Sequence, residues 1–212
     1  MARAEELKGE IPGEIRSHLD EAKRYADEAV KNQKPAWFNG GIPQQMDFAQ
    51  DRAALLRVLD PEQGKTLDAE IEQAEAKLKQ QAESLRELII RENEMPADRF
   101  TGEDRKKAIE TAISGWRVQQ KEFKVLMVRI PSESWSRETK WTYSNGTWYY
   151  SDRSRLQVRL LIADHENPEL AIDRAINIIK DHQKGDSMIG VPLRGFEDEL
   201  PPSSYMLRSK IR

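Results

Sequence analysis

The chain has 212 residues and a net charge of -3, a length that suits one large domain or two small ones. Charged residues make up 33% of it and the mean hydropathy is -0.79, so the surface is strongly solvated, while a hydrophobic share of 38% still supports a modest core. Apolar runs such as residues 125–128 fall far short of the roughly 18 residues that cross a bilayer, which excludes a membrane span.

The chain contains no cysteine. Disulfides, thiolate metal sites and thiol nucleophiles are therefore excluded together. The N-terminal segment is charged and has no apolar stretch of the kind that signal peptides carry. We expect a cytoplasmic protein, and the alternative is an exported protein whose signal lies outside this sequence.

Helical periodicity dominates residues 1–95, which we predict to form a helical, coiled-coil-like region. The first amphipathic helix covers residues 11–33, with its inward positions spaced three and four apart. Those positions are Ile11, Ile15, His18, Ala22, Tyr25 and Ala29. Proline and paired glycines then predict a loop over residues 34–43, anchored by two aromatics. A short helix over residues 46–59 is expected to bury Phe48, Leu55, Leu56 and Leu59.

A long helix is predicted to start at Asp60 and Pro61, an N-cap followed by proline at the first helical position, and to end near residue 93. Its apolar residues form a heptad seam, typical of a coiled coil. The apolar residues of the seam are Leu67, Ile71, Ala74, Leu78, Leu85 and Leu88, and Gln81 fills one further seam position. Such a helix needs a partner. We expect an antiparallel hairpin with the first helix, or self-association as the alternative.

Residues 96–212 are predicted to form an α+β domain with an antiparallel sheet. A helix capped by Thr101 presents one apolar face to that sheet. Residues 123–130 are apolar on both sides, which predicts a central buried strand. The apolar face of the helix consists of Ala108, Ile109, Ala112, Ile113 and Trp116.

Asn145 and Gly146 give a strong signal for a two-residue hairpin turn, because both tolerate the positive φ of a type I′ turn. Alternating residues on the two flanking strands share one side of the sheet. With this turn Tyr143 pairs with Trp148 and Trp141 pairs with Tyr150. The sequence therefore predicts one cluster of four aromatic side chains.

A second turn is expected at residues 151–154, followed by a third strand over residues 156–162. Residues 170–179 fit a helix and a strand equally well. An edge strand is expected within residues 203–211. This helix followed by an antiparallel meander resembles cystatin-like and NTF2-like rolls, a similarity of topology that implies no activity.

The aromatic residues have two interpretations. As a binding surface, they would stack on sugars, nucleic-acid bases or a proline-rich peptide, with a charged contact from an arginine on the same face. As core, they would lie beneath the helix, which is the interpretation that ordinary core composition favours. The residues concerned are Trp135, Arg137, Trp141, Tyr143, Trp148 and Tyr150.

Residues 121–160 carry eight basic and four acidic side chains, a local charge of +4. Such a patch suits an anionic partner or an acidic surface of the same or a sister chain. Its basic surface, formed by Lys140, Arg153, Arg155 and Arg159, would hold phosphates if it bound a polyanion. Solvated positions that protect a sheet edge are the simpler explanation. No RNA-binding signature accompanies them, so nucleic acid is disfavoured.

No residue pattern marks a catalytic, metal or cofactor site. His165 lies between Asp164 and Glu166, and His182 follows Asp181, yet neither spacing matches a known metal motif. Nucleophilic and phosphate-binding motifs are absent from the sequence. We therefore predict no catalytic residue, no metal and no cofactor.

Three functions remain open. The first is a non-catalytic interaction and assembly module that binds a protein or its own copy through the N-terminal helices. The second is a roll that binds a ligand or glycan, or a small enzyme with a pocket on the sheet and with Glu138, Asp152, His165 or His182 as acid–base groups. The third is a polyanion binder. The sequence favours the first.

Overall fold

The structure, a computed structural model, describes residues 2–117, 123–193 and 200–211. The chain is α+β, with N-terminal helices that pack together and a later helix on a six-stranded antiparallel open sheet. It divides into two compact units, Met1–Ile89 and Ile90–Arg212. No helix in the described ranges is long and apolar enough to cross a membrane.

Three helices build the first unit: α1 (Ala2–Lys31), α2 (Gly41–Leu59) and α3 (Pro61–Glu92), with a 3-10 turn at Pro35–Asn39 before α2. The start of α3 is as predicted, because Asp60 accepts a hydrogen bond from the backbone N–H of Gln63 at 3.1 Å. Its C-terminal end extends into the second unit.

The middle helix, α2, lies antiparallel to α1. Arg52 Nε lies 2.9 Å from Glu14 Oε2, and His18 Nδ1 lies 2.8 Å from Gln45 Oε1, so residue numbers rise along one helix as they fall along the other. Closely packed alanines line this interface. They are Ala22, Ala26, Ala49 and Ala53.

The long helix runs in the same direction as α1, contrary to the predicted antiparallel hairpin. Arg16 binds Glu70 at 2.9 Å, and Gln81 donates to Asp27 at 3.2 Å, so both contacts join residues 54 apart. The error is explained by α2, which lies between α1 and α3 in the chain. This helix is the antiparallel neighbour of α1, and the apolar seam of α3 is buried in a three-helix bundle.

The prediction for α2 was wrong in detail. This helix begins at Gly41, before the expected residue 46, and it buries its small residues in place of two large ones. Phe48 is 42% exposed and Leu55 is 39% exposed, whereas Leu56 is fully buried. Because α2 can approach α1 closely only with alanine at the contact, its large residues Phe48 and Leu55 face outward.

The second unit contains α4 and six strands. The helix α4 spans Arg105–Arg117. It begins later in the chain than predicted, so the prediction that Thr101 is its N-cap was wrong. The strands are β1 (Val125–Arg129), β2 (Ser136–Ser144), β3 (Thr147–Ala163), β4 (Leu170–Asp181), β5 (Ser187–Pro192) and β6 (Tyr205–Leu207).

Strands β3 and β4 form the centre of the sheet. Along one edge of β3, β2 pairs with residues 147–155 and β1 with residues 159–162. Along the far edge of β4, β5 and β6 likewise lie end to end. The strand interpretation of residues 170–179 and the late edge strand are thus correct. β1 is an edge strand, however, and not the predicted central one.

The predicted turn at residues 151–154 does not exist, because β3 continues through it as one strand of 17 residues. Asp152 pairs with Thr139 on β2, and Arg153 pairs with Asp181 on β4. Backbone pairing on both sides therefore overrides the turn tendency of four consecutive polar residues.

The core lies between α4 and one face of the sheet. Trp116 of α4 is 1% exposed, and the predicted apolar face of the helix packs on alternate residues of β3 and β4. α4 closely approaches β5 at a pair of glycines. A Cβ on Gly115 would lie 2.7 Å from the carbonyl oxygen of Gly190, so both positions exclude a side chain.

Candidate functional site

The hairpin formed by β2 and β3 turns as the sequence predicts. Asn145 has φ 50° and Gly146 has φ 79°, both positive as a type I′ turn requires. Nine residue pairs join the two strands, including Tyr143 with Trp148 and Trp141 with Tyr150. This register places the four rings on the side of the sheet that carries α4.

The four rings form an exposed surface, which we call the aromatic face (Trp141, Tyr143, Trp148 and Tyr150). The centroids of Trp141 and Tyr150 are 5.0 Å apart, and those of Tyr143 and Trp148 are 5.1 Å apart. Both tryptophans are 63% exposed, so the core interpretation is wrong for these rings. α4 covers β3 at Leu156 and beyond, and the hairpin extends past it.

Two residues that the sequence grouped with these rings lie outside the aromatic face: Trp135 belongs to the core, and Arg137 lies beside the rings. Trp135 precedes β2 and packs against the core beside Phe100, with ring centroids 6.3 Å apart. Arg137 lies on the side of the aromatic face, at the base of the hairpin. Its guanidinium donates two hydrogen bonds to Asp152, of 2.8 and 2.6 Å.

The basic surface lies on the opposite side of the sheet, and ion pairs neutralise most of it. Acidic side chains of the same sheet face its three arginines: Arg153 with Asp181 at 3.5 Å, Arg155 with Glu138 at 3.3 Å, and Arg159 with Asp173 through two hydrogen bonds. These carboxylates leave little net charge for a polyanion.

A second constellation lies at the base of the hairpin, and we call it the polar cluster (Arg137, Asp152, Ser154, Lys180, His182 and Asp186). Its centre is a chain of three side chains. Ser154 Oγ lies 2.8 Å from His182 Nε2, and His182 Nδ1 lies 2.6 Å from Asp186 Oδ1. Because the carboxylate can only accept, it places the imidazole proton on Nδ1 in the neutral ring, which leaves Nε2 to accept from the serine hydroxyl.

The strand register places a cation on each side of this serine. Ser154 pairs directly with Arg137 on β2 and with Lys180 on β4, and the three side chains point to the same face. Lys180 Nζ binds Asp104 at 2.7 Å and lies 3.7 Å from Asp186. Ser154 therefore lies between two strand neighbours whose cations are each paired with a carboxylate.

These contacts shift ionisation equilibria within the polar cluster. The hydrogen bond from Arg137 lowers the pKa of Asp152, and the hydrogen bond with His182 lowers the pKa of Asp186. The carboxylate of Asp104 raises the pKa of Lys180. Each charged form is thus favoured by a partner within the fold.

The lowered carboxyl pKa values predict how stability depends on pH. A carboxyl with a depressed folded pKa contributes stability above its unfolded pKa of about 4 and loses it as the pH falls through the folded value. The urea midpoint of the wild type should therefore fall more between pH 5 and pH 3 than that of the D152N/D186N variant. Equal falls in both proteins would contradict the prediction.

The contact between Ser154 and His182 could not be predicted from local sequence, because 28 residues separate them. Only the pairing of β3 with β4 brings them together. The other proposed acid–base groups do not join this cluster: Glu138 lies on the opposite side of the sheet, and His165 lies in the turn between β3 and β4. Within the described ranges, no group of His, Asp and Glu is arranged to hold a metal ion.

Comparison with known proteins gives no assignment. No protein-family model, no curated protein and no solved structure matches this chain. The similarity to cystatin-like and NTF2-like rolls therefore stays a prediction.

Proposed function

We propose that this protein is an interaction module whose aromatic face binds a partner protein. The observation that carries the proposal is the exposure of four large aromatic rings on one side of a hairpin that extends beyond the core. Exposed aromatic residues that form a continuous surface are characteristic of binding sites, because the burial of such rings in a complex is strongly favourable.

The composition of this surface is that of a protein interface. Tryptophan, tyrosine and arginine are the residues most often found to dominate binding energy, and the aromatic face contributes two tryptophans and two tyrosines with Arg137 beside them. Aromatic side chains also lose little conformational entropy when a partner fixes them.

The backbone of the hairpin supports the same proposal. Every residue of β2 is exposed, and among the described residues β2 pairs with β3 along one edge only. An extended segment of a partner would add to the other edge through backbone hydrogen bonds while its side chains contact the rings. The proposal thus places the contact on the hairpin and not on the N-terminal helices, whose apolar seam is buried within the bundle.

The experiment compares the wild type with W141A/W148A and with Y149A. Tyr149 is the matched control, since it is 55% exposed on the same hairpin but on the opposite side. Proteins captured from extract would be identified by mass spectrometry, and the affinity of a purified partner would then be measured. We expect the double variant to weaken binding at least about 100-fold, as two lost hot spots imply, and Y149A to leave it within about threefold.

Two further measurements separate the alternatives. Sedimentation equilibrium of the same three proteins tests whether the partner is a second copy, and a glycan array tests sugar binding. Binding of a protein with equal affinity by the wild type and W141A/W148A would refute the proposal. Loss of glycan binding alone, with no protein partner, would support the ligand-binding roll in its place.

A further inference from the structure

We propose that Ser154, His182 and Asp186 form a nucleophilic site that hydrolyses esters with short acyl chains. The proposal is independent of the aromatic face as a protein interface. The Ser154 hydroxyl lies beside His182 Nε2, and the Asp186 carboxylate lies beside His182 Nδ1. A nucleophile within hydrogen-bond reach of a base that a third group orients is the arrangement that activates serine hydroxyls.

Each strand beside the serine carries a cation that is already paired with a carboxylate. Arg137, bound to Asp152, and Lys180, bound to Asp104, flank Ser154 across the two neighbouring strands. We expect them to stabilise a negatively charged carbonyl oxygen less than unpaired cations would. Asp186 is held by Lys180 and follows Gly185, with both residues at positive φ. This uncommon backbone conformation aims the Asp186 carboxylate at His182, which makes Asp186 a positioning residue.

The reaction proceeds in two balanced steps. Ser154 Oγ attacks the carbonyl carbon, its proton passes to His182 Nε2, and the carbon–oxygen bond to the alcohol breaks as that proton is transferred to the departing oxygen. Water then gives a proton to His182 while its oxygen bonds to the acyl carbon. The bond between Ser154 Oγ and the acyl carbon then breaks, the acid leaves, and the proton on His182 Nε2 returns to Ser154 Oγ.

Burial limits access to the serine. Ser154 is 4% exposed, whereas the His182 side chain is 23% exposed. An acyl group would have to reach the hydroxyl beside the imidazole, and we expect this constraint to favour a small one. The substrate class is therefore an ester of a short-chain acid, with the alcohol remaining in solvent or against the hairpin.

Hydrolysis of p-nitrophenyl acetate provides the first test, with p-nitrophenyl octanoate as the long-chain comparison. We expect turnover of the acetate by the wild type, its loss in S154A and a fall of about 100-fold or more in H182Q. S151A is the matched control, because Ser151 lies on the same strand and faces the other side. Equal rates in the wild type and S154A would overturn the proposal.

The absence of cysteine allows a second test that needs no substrate. In S154C and S151C the new thiol is the only one in the chain, and iodoacetamide reports its reactivity by intact mass. At pH 6 we expect S154C to react at least tenfold faster than S151C, because His182 promotes thiolate formation. The H182Q change should abolish this advantage, and D186N should shift the pH profile of alkylation upward. A rate for S154C at or below that of S151C would refute the site.

Discussion

Trp116→Ala is expected to destabilise the second unit by about 3–5 kcal/mol, whereas Trp141→Ala should cost less than about 1 kcal/mol. Both changes remove an indole, but Trp116 is 1% exposed and Trp141 is 63% exposed. Removing the first leaves a cavity between α4 and the sheet. Removing the second takes away a surface ring that contacts Tyr150.

Urea unfolding combined with amide hydrogen exchange measures this difference. Exchange at the β3 and β4 amides reports the second unit, while exchange in α1 and α2, which lie in the first unit, should not change. A loss of stability in W141A as large as that in W116A would show that the aromatic face is structural. The proposed interface would then lose its main support.

In the first unit, Leu56→Ala is expected to cost about 2–5 kcal/mol and Leu55→Ala less than about 1 kcal/mol. The two leucines are adjacent in α2, so local helix propensity is nearly the same for both. Leu56 is fully buried against α1 and α3, whereas Leu55 is 39% exposed. The comparison therefore isolates burial.

Thermal unfolding followed by circular dichroism, with exchange at the α2 amides, provides the measurement. Equal destabilisation by the two changes would contradict the orientation of α2. A larger effect of Leu55 would mean that the helix is rotated and that the large residues, as the sequence suggested, face the interior.

The sequence predicted the elements of this fold better than their arrangement. Asn145 and Gly146 specify the hairpin because the turn geometry depends on those two residues alone. An apolar seam shows that a helix is covered, but it does not show by which neighbour or in which direction. The parallel course of α1 and α3 depends on α2, whose buried alanines give a weak hydrophobic signal.

The aromatic face and the polar cluster differ in how far the sequence predicts them. The membership of the aromatic face follows from alternation about the turn, but its exposure depends on how far α4 covers the sheet toward the hairpin. The polar cluster could not be predicted, since Ser154, His182 and Asp186 meet only through the register of β3 with β4 and the turn that follows. Local sequence contains no trace of that register.

One consequence follows from the uninterrupted course of β3. At about 3.3 Å per residue, the seven residues 147–153 extend roughly 23 Å from the tip of the hairpin to Ser154, and the same strand continues into the core. The strand that carries the aromatic rings near the tip is thus the same strand that carries Ser154 and the core residues beyond it. If a partner binds the aromatic face, it contacts a strand that is continuous with the centre of the sheet.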